Sequence, residues 1–336
     1  MNYKILASLV SLNIVCPMAL LGWTDLENAE ADGAKMKMTF VVVDNDNNAV
    51  SNAWIQGGMY CDTGASMGTE FAGYTDGSGR FTISGKTTGR VVYSITKENF
   101  YQTSSEYDFA RKEPGYTPTV NKGKWQPYGL EYTVMIKRIY AATAKPFSFG
   151  YITVPAFGQW MGFDLEIFDL CPPYGKGIHK DVLLRYVFDR DPIVRGKTYA
   201  SMEMSFTNNP HAGAYILKKD GWSDFQSCYV ADTNNTFSIK SFKYESSRTR
   251  EEIFKNEDFP EDSYIVFRTR TSVDRDGNLI SAHYGKIYGG WDYPRQLHFG
   301  GILFNSTPND PNLEDEESGI RARLQIKGMR ERGELK

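Results

Sequence analysis

A glycine-rich turn between two alternating runs of apolar and polar residues constrains the fold of this chain more than any other stretch. It lies in residues 73–83, which read GYTDGSGRFTI. Asp76, Gly77 and Gly79 can supply the positive backbone dihedral angles of a tight turn. Phe81 and Ile83 alternate with polar residues, as in a half-buried strand. The pattern predicts a β-hairpin and therefore a protein built from strands.

Strand and turn signals continue along both halves of the chain. In the first half they predict strands at 35–44, 50–55, 89–96 and 130–139. In the second half they predict strands at 160–169, 182–188, 199–206, 237–244, 264–273, 279–288 and 296–304. Asp276 and Gly277 join two of these runs in a second predicted hairpin. Helical periodicity is scarce, and 247–255 is the best short helix candidate. We therefore expect an all-β protein.

The composition favours two domains made of strands and turns. The chain has 336 residues, among them 21 Tyr, 20 Phe and 31 Gly. That length can bury two ordinary cores, and aromatic residues and glycine are typical of strands and turns. The formal net charge of -3 supplies no basic surface for a phosphate backbone. Nucleic acid is therefore not an expected partner.

The N-terminus predicts export from the cytoplasm. An apolar run at 5–23 follows Lys4, and an acidic stretch with small residues, including Ala29 and Ala31, follows that run. This order is typical of a secretory signal peptide. An uncleaved N-terminal anchor is the alternative, because the run is about long enough to span a bilayer. We expect a secreted or cell-envelope protein, in the periplasm or at the cell surface, that meets a membrane only through an uncleaved leader.

Four segments of the first half occur in an order that resembles the carboxypeptidase regulatory-like, or transthyretin-like, domain. They are VVD at 42–44, AVSNAWI at 49–55, the turn at 73–83 and VYSITKENFY at 92–101. The resemblance covers residues 36–139. It implies a small Greek-key β-sandwich of about seven strands, a non-catalytic accessory domain usually appended to secreted or envelope proteins. Asn99 stands where the family has glycine, and asparagine can adopt the left-handed backbone.

These observations predict four segments of the chain. Residues 1–31 form the signal peptide or anchor, and 35–140 form the transthyretin-like sandwich. Residues 145–305 form a second, antiparallel β-sandwich that resembles no family we can name. Residues 306–336, which are rich in charge and poor in apolar residues, form a loosely ordered tail.

Three cysteines lie beyond the leader. In an oxidising compartment, Cys171 and Cys228 are the plausible disulfide within the second domain, which leaves Cys61 reduced. Three separate buried thiols are equally compatible with the sequence.

Motifs that carry catalysis or bind cofactors are not found in the sequence. The four histidines, His179, His211, His283 and His298, are far apart, and none is followed by Glu at the spacing of the zinc carboxypeptidases. We therefore predict no metal and no cofactor. The paired carboxylates Asp164 and Glu166 leave a glycoside hydrolase open as an alternative.

The aromatic loop at 288–294, YGGWDYP, is the strongest binding feature in the sequence. Exposed rings of Tyr288, Trp291 and Tyr293 can stack on sugars or anchor a protein partner. We expect a non-catalytic structural or binding protein whose partner is a polysaccharide or another envelope protein. The alternatives are a carbohydrate-binding module, or a carbohydrate-active hydrolase with its site in the second domain.

Overall fold

The computed structural model describes residues 24–60, 68–140, 145–190, 192–193, 196–206, 211–221, 223–248, 253–258, 262–288 and 296–333. Their regular structure consists almost entirely of strands, with two helices. The strands form four sheets that pack in pairs around two main hydrophobic cores. The predicted all-β fold is confirmed.

The first sandwich contains a short helix and nine strands. They are α1 (Asp25–Asp32), β1 (Ala34–Val43), β2 (Trp54–Met59), β3 (Thr69–Tyr74), β4 (Arg80–Thr87), β5 (Arg90–Thr96), β6 (Thr103–Asp108), β7 (Val120–Asn121), β8 (Lys124–Trp125) and β9 (Leu130–Met135). One sheet has the order β4-β1-β8-β7, with β9 also paired to β1. The other sheet has the order β3-β2-β5-β6.

Strand β1 organises the first core. Its alternating sequence buries Met36, Met38 and Phe40, while Lys35 and Lys37 face solvent. It pairs antiparallel with β4 and parallel with β9. The predicted strand at 35–44 is thus present and lies inside its sheet.

The turn at 76–79 connects the two sheets of the first sandwich instead of closing a hairpin. Strand β3 pairs with β2, whereas β4 pairs with β1 in the opposite sheet. The turn chemistry itself is as predicted. Asp76 Oδ1 accepts hydrogen bonds from the amides of Ser78 and Arg80, and Gly79 has φ +74°. The predicted hairpin pairing is wrong because turn residues alone do not specify the neighbour of each arm.

Helix α1 is part of the first sandwich, although its residues lie mostly in the predicted leader. Thr24 and Glu27 form a capping box at its start, and Ala29 packs into the core. The folded unit therefore begins before residue 35. Residues 1–23 of the predicted leader lie outside the described residues. Neither helix in the described part of the chain is long and apolar enough to cross a membrane.

The second sandwich contains eleven strands and a C-terminal helix. They are β10 (Phe147–Thr153), β11 (Trp160–Asp164), β12 (Asp169–Leu170), β13 (Val182–Arg190), β14 (Thr198–Ser205), β15 (Gly213–Lys218), β16 (Ser241–Arg248), β17 (Ile253–Glu257), β18 (Ser263–Val273), β19 (Leu279–Tyr288), β20 (Gln296–Phe304) and α2 (Glu316–Glu331). A five-stranded sheet has the order β10-β20-β19-β18-β15, and a six-stranded sheet has the order β12-β11-β13-β14-β16-β17.

The predicted hairpin at 264–288 is confirmed by the pairing of β18 with β19. Asp274 closes its turn by accepting hydrogen bonds from the amides of Asp276 and Asn278. Phe163, Phe206 and Phe267 are fully buried between the two sheets, so aromatic residues form much of this core.

Two predictions in the second half are wrong. In the helix candidate at 247–255, residues 247–248 belong to β16 and 253–255 to β17, which pair with each other, and 249–252 lie outside the described residues. The tail predicted to be loosely ordered contains α2, because Asp315 caps its N-terminus and Ala322, Ile326 and Met329 recur at helical spacing on its buried face.

The substitution Gly79→Ala tests the turn between the sheets. A Cβ at this position would lie 2.6 Å from the Val42 carbonyl oxygen, at a backbone angle that alanine rarely adopts. We expect a loss of about 1–3 kcal/mol in the free energy of unfolding, measured by urea denaturation. Gly77→Ala is the matched control, because nothing lies within 4 Å of its Cβ. A Gly79→Ala protein as stable as the control would contradict this account of the turn.

Candidate functional site

The two sandwiches meet through an aromatic stack that includes residues from both. Tyr101 follows β5 in the first sandwich and is fully buried. Its ring stacks on Phe225 of the second sandwich with centroids 5.0 Å apart, and its hydroxyl donates to Glu314 Oε1 at 2.5 Å. Tyr229 packs on the same phenylalanine and donates a hydrogen bond to the Arg138 carbonyl. We refer to this region, together with Lys137 and Lys286, as the junction.

Lys137 brings a buried positive charge from the first sandwich into the junction. Its side chain is 4% exposed, and Nζ donates to Asp220 Oδ2 and to the Ser227 carbonyl, both at 2.7 Å. Burial lowers the pKa of Lys137, and the Asp220 carboxylate opposes that shift. The ammonium also lies 5.1 Å from the Phe225 ring centroid, within range of a cation–π interaction.

Lys286 on β19 supplies a second, fully buried ammonium on the same phenylalanine. Nζ donates to Asp315 Oδ2 at 2.8 Å, to Ser227 Oγ at 2.8 Å and to the Tyr288 hydroxyl at 3.2 Å. It lies 4.4 Å from the Phe225 ring centroid. Burial lowers the pKa of Lys286, and Asp315 opposes that shift. Both Lys286 and Asp315 are almost fully buried.

Asp315 connects this ion pair to helix α2. Its Oδ1 accepts from the Ser318 amide as the N-cap of the helix, while its Oδ2 accepts from Lys286. A single carboxylate therefore fixes α2 against β19. Because both groups are buried, removing either one would leave an unpaired charge in the interior, which is strongly destabilising.

The predicted ring-stacking residues divide between the junction and the undescribed part of the chain. Tyr288 lies at the junction, where its ring packs on Tyr264 at 5.8 Å and its hydroxyl accepts from Lys286. Trp291 and Tyr293 lie outside the described residues. Sugar stacking by these two rings stays a prediction.

The carboxylates Asp164 and Glu166 converge as the hydrolase alternative requires, but they converge on an arginine. Arg270 Nη2 lies 3.1 Å from Asp164 and Nη1 lies 2.5 Å from Glu166. The same guanidinium forms a bidentate pair with Asp181, through Nε at 2.8 Å and Nη2 at 2.9 Å. Arg270 stands at an irregularity in the β18–β19 pairing, with φ +47°. The sequence did not single out Arg270 or Asp181.

Asp164 is fully buried, and its carboxylate oxygens accept hydrogen bonds from backbone amides. Its two oxygens accept from four amides, those of Glu166, Ile167, Ile178 and His179. Burial acts to raise the pKa of Asp164, but these amides and Arg270 outweigh it, so the pKa lies below its usual range. A general acid needs the opposite shift. The local chemistry therefore makes Asp164 a structural carboxylate that holds loops together.

The histidines are not gathered into a metal site within the described residues. His283 stacks on Phe304 with ring centroids 5.6 Å apart, and burial together with Arg270 lowers its pKa. His211 contacts the Gly277 carbonyl on a different loop. No group of three or more His, Cys, Asp or Glu in the described part of the chain is arranged to hold a metal ion.

The predicted disulfide between Cys171 and Cys228 is not formed. Both are free cysteines in the structure. Cys171 donates to the His179 carbonyl beside the six-stranded sheet, whereas Cys228 packs against the cluster that contains Tyr264 and Leu303. The two thiols thus belong to different parts of the second sandwich. Cys61 lies outside the described residues.

No family model and no curated protein matches the sequence. Among solved structures, the chain is similar to 3-chlorocatechol 1,2-dioxygenase from Rhodococcus opacus 1CP, with 11% identity and a TM-score of 0.26 over 32% of this chain. That match spans 62% of the dioxygenase, less than two thirds of it.

Two pilins match a longer part of the chain. A shaft pilin from Lactobacillus rhamnosus GG matches with 9% identity and a TM-score of 0.22, over 84% of this chain and 96% of the pilin. A streptococcal ancillary pilin matches with 9% identity and a TM-score of 0.21, over 84% of this chain and 62% of the pilin. At these scores the likenesses do not bear on function.

Removing the Lys286 ammonium tests the junction. Lys286→Met leaves Asp315 buried without its cation, and we expect a loss of about 3–5 kcal/mol in the free energy of unfolding. Lys286→Met combined with Asp315→Asn should lose less than Lys286→Met alone, because asparagine is neutral and still caps α2.

Lys218→Met is the control for that experiment. Lys218 forms an exposed pair with Asp262 at 3.8 Å, so its loss should cost about 0–1 kcal/mol. Chemical denaturation of the four proteins makes the comparison. Equal stability of Lys286→Met and Lys218→Met would contradict the junction described above.

Proposed function

We propose that the chain is a non-catalytic structural or binding protein, secreted or held in the cell envelope, whose two sandwiches act as one rigid unit. The junction carries this proposal. It places two buried lysines, each with its own carboxylate, around one phenylalanine at the contact between the sandwiches. Such an arrangement resists relative motion, because separating the sandwiches would take Lys137 away from Asp220 and Tyr101 away from Phe225 and Glu314.

Further contacts distribute the connection over a wide area. Thr103 of β6 forms an isolated β-bridge with Ser223 of the second sandwich. Arg330 near the end of α2 reaches Glu98 of the first sandwich at 2.5 Å. Helix α2 thus contacts both sandwiches, which supports a rigid unit over two domains on a flexible linker.

The resemblance of the first sandwich to carboxypeptidase regulatory-like domains is part of this proposal. Its two sheets enclose one core, and Asn99, at the position where that family has glycine, has φ +64°. Both observations support the resemblance. We propose that the first sandwich is an accessory domain that supports the second.

The hydrolase alternative is disfavoured by the surroundings of its carboxylates. Asp164 and Asp181 are fully buried around Arg270, and their oxygens are occupied by amide and guanidinium donors. A glycoside hydrolase needs two carboxyl groups that face a substrate with different pKa values. We propose instead that an envelope polysaccharide or another envelope protein is a binding partner.

Fractionation of the source cells tests this proposal. We expect the full-length protein in the envelope or culture fluid, where protease added to intact cells should reach it, with a cytoplasmic enzyme as the fractionation control. Recovery in the cytoplasm would overturn the envelope role. Hydrolysis of a polysaccharide by the purified protein, abolished in a folded Asp164→Asn variant, would overturn the non-catalytic role.

A further inference from the structure

The sequence contains two segments of the form Asn-x-Ser/Thr, the acceptor pattern for N-linked glycans. They are NNT at 234–236 and NST at 305–307. In this pattern the asparagine amide receives the sugar, and the transferase recognises the hydroxyl two residues later. An attached glycan is bulky and lies at the surface of a protein. The folded chain therefore decides which of the two segments can carry one.

The segment at 305–307 is closed in the folded protein. Asn305 is fully buried, and its Nδ2 donates to the carbonyl oxygens of Asp310 at 2.8 Å and of Asn312 at 3.1 Å. A sugar on Nδ2 would replace one of these donated hydrogens and would need space in the interior. Asn305 therefore has the acceptor pattern without the accessibility.

The segment at 234–236 lies in an exposed turn. Residues 233–236 are all exposed, whereas Ala231 before them is 2% exposed and Phe237 after them is 3% exposed. Both flanking side chains pack in the cluster that contains Tyr215 and Tyr264. The turn is thus anchored at both ends, and its own side chains project into solvent.

Asp232 stabilises this turn and extends the acceptor pattern. Its Oδ1 accepts from the Asn234 amide at 3.0 Å, and its carbonyl accepts from the Asn235 amide at 3.1 Å. Transferases of bacterial envelopes also require an acidic residue two positions before the acceptor asparagine, and Asp232 occupies that position. Leu303 occupies it before Asn305. The exposed segment therefore satisfies both the short and the long pattern.

We propose that Asn234 is an N-glycosylation site. The donor is an oligosaccharide joined to a membrane lipid through pyrophosphate, and an oligosaccharyltransferase outside this chain catalyses the transfer. Nδ2 of Asn234 forms a bond to C1 of the first sugar and loses one proton. The bond between C1 and the pyrophosphate oxygen breaks, and the lipid pyrophosphate leaves with the electron pair. Such transferases act outside the cytoplasm, so this site rests on the proposed envelope role.

The test is peptide mass spectrometry of the full-length protein purified from the envelope or culture fluid of the source cells. We expect the peptide that contains Asn234 to carry added sugar mass and the peptide that contains Asn305 to carry none. Asn234→Gln and Thr236→Val should remove the added mass. Asn235→Gln and Thr236→Ser are the matched controls, because they change the same exposed turn and preserve the acceptor pattern, and they should retain it.

Two outcomes would overturn the proposal. These are an unmodified Asn234 in protein recovered from the envelope or culture fluid, or added sugar that Asn234→Gln and Thr236→Val leave in place. The fractionation and protease measurements determine location without reference to a glycan. An unmodified Asn234 in envelope material would therefore overturn the glycosylation site and leave the envelope role intact, whereas recovery in the cytoplasm would overturn both.

Discussion

The arrangement of this protein depends on the Phe225 ring and the two ammonium groups beside it. Lys137 arrives from the end of the first sandwich and Lys286 from a central strand of the second. Each is balanced by a carboxylate from another segment, Asp220 or Asp315. Because the Lys137 ammonium is buried and cannot lose Asp220 cheaply, this pair holds the first sandwich against the second.

A second buried charge cluster holds separate segments of the chain together inside the second sandwich. Arg270 gathers Asp164, Glu166 and Asp181 from the loops around β11 and β13. Asp164 and Glu166 are the carboxylates that leave a hydrolase open when the sequence is considered alone. In the structure these carboxylates hold loops together. The same residue types can stabilise packing in one protein and take part in catalysis in another.

The sequence predicted the fold class because strand alternation and turn chemistry are local. Strand β1 and the β18–β19 hairpin follow directly from their residues. It could not predict that the turn at 76–79 crosses between sheets, since pairing partners are set by long-range packing. Helix α2 was missed because its buried face has few apolar residues in a highly charged segment, although Asp315 and the spacing of Ala322, Ile326 and Met329 carried the signal.

The junction could not be predicted from the sequence for a similar reason. Lys137, Phe225 and Lys286 are far apart in the chain, and nothing local distinguishes them from surface lysines and core phenylalanines. Tyr288 was singled out for a loop role, and the structure places it at this junction. A buried lysine becomes recognisable only when its carboxylate partner and its burial are both known.

Differential scanning calorimetry of the full chain tests the central claim, that the two sandwiches form one unit. The account predicts a single transition in which the calorimetric and van't Hoff enthalpies agree, because breaking the junction and unfolding either sandwich are coupled. Two resolved transitions, or a calorimetric enthalpy well above the van't Hoff value, would show that the sandwiches unfold independently and would contradict it.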